Sequence, residues 1–114
     1  MNIERKAQRR SSMQEVKING FENGTLSVSL SGDIDLGNAE AFYKEVSAAY
    51  QAQKGNVLFD CEKLEFIDST TLGTFVKILK AVKTDGYSMK LVNLQSKIKK
   101  LFVICSLDTV MEIA

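Results

Sequence analysis

Phe66-Ile67-Asp68-Ser69-Thr70-Thr71-Leu72-Gly73 is the stretch whose reading decides the architecture of this chain. An apolar run, Leu64, Phe66 and Ile67, stops at an acid, and three hydroxyl side chains follow before Leu72, Phe75, Val76, Leu79 and Val82 recur at helical spacing. That is a strand-to-helix junction. The first turn of a helix carries backbone N–H groups without partners and the positive end of the macrodipole, so a phosphate added there meets donors rather than a packed wall. From the residues alone, Ser69 has two readings. It is either a helix N-cap, contributing about 0.5–2 kcal/mol, or a hydroxyl whose modification controls binding, with Thr70 and Thr71 as secondary acceptors. Lys77, Lys80 and Lys83 mark the opposite, solvated face of the same helix, which stops near Asp85-Gly86.

Upstream, Leu26, Val28 and Leu30 alternate with small polar residues from Thr25 to Ser31, the pattern of a half-buried strand. Val16 and Ile18 supply a partner strand. Asn23-Gly24 between them suits a tight hairpin, because both residues tolerate positive φ. After Gly32-Asp33-Ile34-Asp35, Asn38 is placed to cap a helix of about 14 residues whose inner face carries Phe42, Val46, Ala49 and Tyr50. Gly55 ends it, and Val57-Leu58-Phe59 reads as a central strand covered on both faces and reached by a parallel crossover. Downstream, Met89-Lys90-Leu91-Val92 reads as a strand, Ser96 as the cap of a helix burying Ile98, Leu101, Phe102 and Cys105, and Val110 to Ile113 as a last strand. The order is β-β-α-β-α-β-α-β, an α/β domain with a mixed sheet of about five strands and helices packed against it. Phe42, Phe75 and Phe102 belong to its core.

Composition excludes several function classes. A chain of 114 residues with 45% hydrophobic content supports one core. No run approaches the roughly 18–20 apolar residues of a membrane span, and the polar start is unlike a signal peptide, so the cytoplasm is the expected location. There is no histidine, which removes the usual general base and the commonest metal ligand. Neither a catalytic residue nor a bound metal or cofactor is expected, and the chain reads as a non-enzyme. Cys61 and Cys105 are expected to be buried small hydrophobes. All three arginines, Arg5, Arg9 and Arg10, fall in the first ten residues with Lys6, opposed by Glu4, which leaves 11 basic and 13 acidic side chains elsewhere. Residues 1–12 are therefore expected to form a flexible basic arm ahead of a domain at 13–114, and a basic stripe of the kind that binds nucleic acid is not expected on the folded part.

The order of elements, with two motifs, resembles the STAS family and in particular the bacterial anti-sigma factor antagonists. Gly32-Asp33-Ile34-Asp35 is similar to the family's Gly-x-Leu/Ile-Asp segment after the second strand, and Asp68-Ser69-Thr70-Thr71-Leu72-Gly73 to its Asp-Ser-Ser/Thr-Gly-Leu-Gly signature. The likeness spans about residues 14–114. It implies that an anti-sigma factor with serine kinase activity, using ATP and Mg²⁺, phosphorylates the serine after the signature aspartate. Unphosphorylated antagonist binds that partner and frees the sigma factor, and a phosphatase reverses the modification. Carried onto this chain, Ser69 is the phosphoacceptor, Asp68 fixes the loop, and Asp33, Asp35, Asp68, Ser69, Thr70 and Thr71 line the contact surface. Thr71 stands where the family commonly has glycine.

Two other readings compete. Asp60 after a central strand, with Asp33 and Asp35 as an acidic pair, imitates a receiver domain that phosphorylates its own aspartate. However, an opening hairpin replaces the first strand-helix unit, and no lysine ends the last strand. The second keeps the STAS fold as a constitutive interaction or scaffold module, of stressosome, transporter or lipid-transport accessory type, without a phosphoswitch.

Overall fold

The computed structural model describes residues 15–114; the basic arm expected over residues 1–12, and the first residues of the domain expected at 13–114, lie outside that range. The chain runs β1 (Val16–Glu22), β2 (Thr25–Ile34), α1 (Ala39–Ala52), β3 (Asn56–Ile67), α2 (Ser69–Thr84), β4 (Met89–Val92), α3 (Ser96–Ile104), a 3-10 turn (Leu107–Thr109) and β5 (Glu112–Ile113). The five strands pair in sequence order, β1 with β2 antiparallel and the rest parallel. Glu22 pairs with Thr25 across Asn23 and Gly24, both at positive φ (55° and 78°), which is the expected two-residue hairpin.

All three helices lie on one face of the sheet, as a chain of edge-to-face phenylalanines shows. Phe42 of α1 meets Phe75 of α2 at 5.2 Å between ring centroids, Phe75 meets Phe59 of β3 at 5.3 Å, and Phe75 meets Phe102 of α3 at 5.6 Å. Each ring is fully buried. Each such pair adds about 0.5–1.5 kcal/mol beyond the burial of its area. The expectation that β3 is covered on both faces is corrected. Val57, Phe59 and Cys61 are buried, but Leu58 and Asp60 between them are half-buried, and so are Ser27, Ser29 and Ser31 of β2 on the same uncovered face.

The apolar spacing of β3 explains why it is longer than the sequence pattern suggests. Its buried residues recur at 57, 59, 61, 64 and 67, so the period changes from two to three. Register shifts against β2 absorb the difference, since Ser29 pairs with Asp60 but Ser31 with Lys63, and Gly32 pairs with Leu64 but Asp33 with Phe66. Each shift places an extra residue in β3, a bulge that returns the next apolar side chain to the core. One strand of 12 residues thus reaches Asp68 without leaving the sheet.

Gly55, expected to end α1, lies beyond it: the helix stops at Ala52 with Gln53 as its C-cap, and the glycine is required by packing instead. A Cβ there would come within 2.6 Å of the Gly24 carbonyl oxygen and 2.7 Å of the Phe21 ring, so the hairpin turn packs where any side chain would clash. At the far ends of α1 and α2, the Tyr50 hydroxyl donates to Asp85 Oδ2 at 2.7 Å, and Lys54 pairs with the same oxygen at 3.4 Å. One expected cap is corrected: Ser96 is the first residue of α3, behind Gln95. Asn38 is the N-cap of α1 as expected, though its side chain does not accept from the first turn.

The cysteines differ from expectation in one respect. Cys61 is buried, and loss of solvation, with the charge of Asp60 adding to it, pushes its thiol up to about 12. Cys105, expected in the core, is exposed at the end of α3. The helix stops after Ile104, and Cys105 is its C-cap, beyond Phe102, the last residue that α3 buries. A thiol reagent at neutral pH should therefore modify one cysteine rapidly in the native protein, mapped to Cys105, and Cys61 only after unfolding. Equal rates at the two thiols would contradict this packing.

Candidate functional site

The site forms where the end of β2 and the end of β3 meet the start of α2. Asp68 is the N-cap of α2, with extended backbone (φ −120°, ψ −175°), and not Ser69 as one sequence reading has it. Its Oδ1 accepts the Thr71 N–H at 3.0 Å, satisfying one donor of the first turn. Its Oδ2 accepts the Leu36 N–H at 2.9 Å, from the loop after β2. One carboxylate therefore ties together two segments 32 residues apart. These bonds, that from Thr71 first, hold its carboxyl below the ordinary value of 3.8 although desolvation opposes them more strongly than the Leu36 bond alone offsets.

Thr71 completes the tie. Expected to line the contact surface, it is fully buried instead. Its hydroxyl lies within hydrogen-bonding distance of the Ile34 carbonyl at the end of β2 and of Asp68 Oδ1, the carbonyl being the nearer. With a single proton to give, it satisfies a buried backbone acceptor that a glycine would leave to find another partner. The bulk of Thr71 points into the domain, and its burial removes it as a phosphoacceptor of the folded state.

Ser69 and Thr70 are exposed on the first turn of α2. The Ser69 hydroxyl makes no hydrogen bond to any described residue, which leaves it open to modification. Asp33 is exposed, whereas Asp35 is half-buried and works locally: its Oδ1 accepts the Gly37 N–H at 2.9 Å, and its carbonyl accepts the Asn38 and Ala39 N–H groups at 3.0 and 2.8 Å. Asn38 braces the same loop, its Oδ1 accepting from Asp35 N and its Nδ2 donating to the Asp33 carbonyl. Asp60 stands apart on the uncovered face of the sheet, where it accepts from Glu62 N and Asn93 Nδ2 at 3.1 Å each. Among the described residues no group of three or more Cys, Asp or Glu is placed to hold a metal ion. The receiver-type reading therefore finds no metal cluster there.

Sequence reasoning missed two residues of this end of the molecule. Leu36 is 76% exposed and Phe66 is 49% exposed. Phe66 pairs with Asp33 across the sheet, and Leu36 is held by Asp68. A signal existed in each case. Leu36 sits in a loop of otherwise polar and small residues, and Phe66 is one of two adjacent large apolar residues at the end of a strand, of which only Ile67 is buried.

The STAS domain family profile matches residues 17–114. A curated relative, the anti-sigma-B factor antagonist of Bacillus subtilis, is 34% identical over 90 residues, which cover 78% of this chain and 81% of that protein. The structure of the Bacillus cell fate determinant SpoIIAA in its phosphorylated form superposes with a TM-score of 0.69 at 21% identity, over 87% of this chain and 90% of that one. That of an anti-sigma factor antagonist from Mycobacterium paratuberculosis gives 0.76 at 18% identity, over 86% and 82%. At these identities the two structures establish a shared fold.

Two measurements check the site. Because Asp68 is held below its ordinary value, its contribution to stability is fully present above the unfolded carboxylate range, about pH 4, and is lost as pH falls through the lower folded value. The amide proton shifts of Leu36 and Thr71 should titrate together with a midpoint below 3.8; separate midpoints, or one above it, would sink the shared-carboxylate account. Thr71→Val keeps the shape but removes the buried hydroxyl's bond to the Ile34 carbonyl, so chemical denaturation should show a loss of about 1–3 kcal/mol, largely restored in Thr71→Ser.

Proposed function

This chain belongs to the STAS domain family, and from that premise we propose that it is an anti-sigma factor antagonist switched by phosphorylation of Ser69. Unphosphorylated, it binds an anti-sigma factor that is also a serine kinase and so releases a sigma factor. Phosphorylated, it does not bind until a phosphatase restores it. It is the substrate of the kinase and not itself an enzyme; the ATP and Mg²⁺ belong to the partner. The cytoplasm, where sigma factors work, is the compartment this reading implies. Among the described residues no helix is long and apolar enough to cross a membrane.

The observation that carries the reading is the exposed Ser69 hydroxyl at the first position of α2, beside a carboxylate whose place is fixed by hydrogen bonds from two segments. A phosphate there adds about −1.5 to −2 charges at pH 7. The segments 33–38 and 64–73 already carry Asp33, Asp35, Glu65 and Asp68 and contain no lysine or arginine. Burying that charge in an interface is unfavourable without a new cationic partner. At the helix N-terminus itself, however, the phosphate meets backbone N–H groups, so the domain tolerates it. Binding is lost while folding is kept. The names of the relatives, one of them described in a phosphorylated form, support the same reading.

Incubation with ATP, Mg²⁺ and the serine kinase of the anti-sigma type from the same organism should add one phosphate, mapped to Ser69 by mass spectrometry. Ser69→Ala should stay folded and bind that kinase constitutively. Ser69→Asp should stay folded and bind at least tenfold more weakly. Retention of full binding by Ser69→Asp, with no phosphate incorporated in the wild type, would replace the switch by a constitutive scaffold module. Unfolding of Ser69→Asp would refute a switch confined to the interface.

A further inference from the structure

We propose that Leu36 and Phe66 are the anchors by which this domain docks, and that they fit a partner surface consisting of an apolar socket with a cationic rim. The inference rests on the antagonist reading and names the chemistry of the partner at the same site.

Single exposed apolar residues are common and need no explanation. Three features set these two apart. The described residues include six large hydrophobics with high exposure, and two of them, Leu36 and Phe66, lie in the short segments that frame Ser69. Leu36 is not a side chain on a slack loop. Its own N–H is bonded to Asp68 Oδ2, and the N–H of the next residue, Gly37, is bonded to Asp35 Oδ1. The backbone on both sides is thereby fixed, so docking Leu36 requires little further ordering. Phe66 is likewise carried on a strand in register with Asp33, and the bulge at Glu65 puts both Glu65 and Phe66 on the exposed side before Ile67 turns back into the core.

The charge of the surroundings specifies the rim. Asp33 and Glu65 are exposed beside these anchors, and Asp68 adds a third carboxylate that stays ionised at neutral pH. Exposed apolar side chains with carboxylates at neighbouring positions are matched by an apolar socket rimmed by lysine or arginine, with the rim charges setting the rate of encounter and the anchors setting the lifetime. The same arrangement explains how one phosphate acts on a surface held largely by apolar contacts. Ser69 adjoins Asp68, the residue that tethers Leu36, so a phosphate introduces a strongly hydrated group next to that tether, where it would have to be stripped of water for Leu36 to enter its socket.

The test is a titration of the purified anti-sigma serine kinase from the same organism with unphosphorylated wild type, Leu36→Ser, Phe66→Ser and Ile104→Ser. Ile104 is as exposed as Leu36 (76% each) but lies on α3, away from the segments that frame Ser69, and so controls for the loss of apolar surface in general. Thermal melts confirm that each variant is folded. The expected result is a loss of affinity of about tenfold or more for each anchor variant, chiefly through faster dissociation, with Ile104→Ser within twofold of wild type. Glu65→Lys should slow association and flatten its dependence on salt. If wild type binds and the Leu36 and Phe66 variants bind as well, the anchors are refuted while the antagonist reading stands. An equal loss in Ile104→Ser also refutes them. If wild type does not bind the kinase at all, the antagonist reading fails and this inference falls with it.

Discussion

A sheet covered on one face must keep its apolar side chains in phase over the whole length of every strand, and in β3 that requirement is met by inserting residues. Its buried positions shift from a spacing of two to a spacing of three, and two register shifts against β2 restore the alternation. Without them, Leu64 and Ile67 would not return to the core together, and the strand would end before reaching Asp68. The bulges also leave Glu65 and Phe66 outside. The same packing constraint thus lengthens the central strand, delivers Asp68 to the start of α2 and exposes an aromatic residue beside it.

From that point the site is organised by one carboxylate and one hydroxyl. Asp68 caps α2 through Thr71 and reaches the loop after β2 through Leu36, while Thr71 closes the circuit at the Ile34 carbonyl. The group that starts the helix is also the group that positions the neighbouring loop. Local stability and the geometry of the surface are consequently the same set of bonds. Ser69 and Thr70 stand outside this set, which allows the surface chemistry to change while the bonds beneath persist. The proposed switch has no need of a large conformational change, because adding a charge suffices to alter what such a surface can bury.

The role of Thr71 shows how a motif residue can be read correctly in sequence and assigned to the wrong side of the structure. Three hydroxyls in a row look equivalent along the chain. In the first turn of a helix they point in directions about 100° apart, and two emerge while the third meets the end of β2. Asp33 and Asp35 separate in a similar way. Asp33 faces solvent at the sheet edge, and Asp35 spends its carboxylate on the turn that follows.

The sequence by itself determined the order of the elements, the hairpin at Asn23-Gly24, the phenylalanine core and the strand-to-helix junction at Asp68-Ser69. These follow from local periodicity, turn chemistry and apolar content, which act over a few residues at a time. The tertiary structure decided which face of the sheet stays open, where β3 bulges, that Asp68 rather than Ser69 caps α2, that Thr71 is buried and Cys105 exposed, and that Leu36 is pinned from 32 residues away. Each of these depends on what a distant segment places opposite a given side chain. Periodicity along the chain carries no information about that, because burial and hydrogen bonding are settled by neighbours in space.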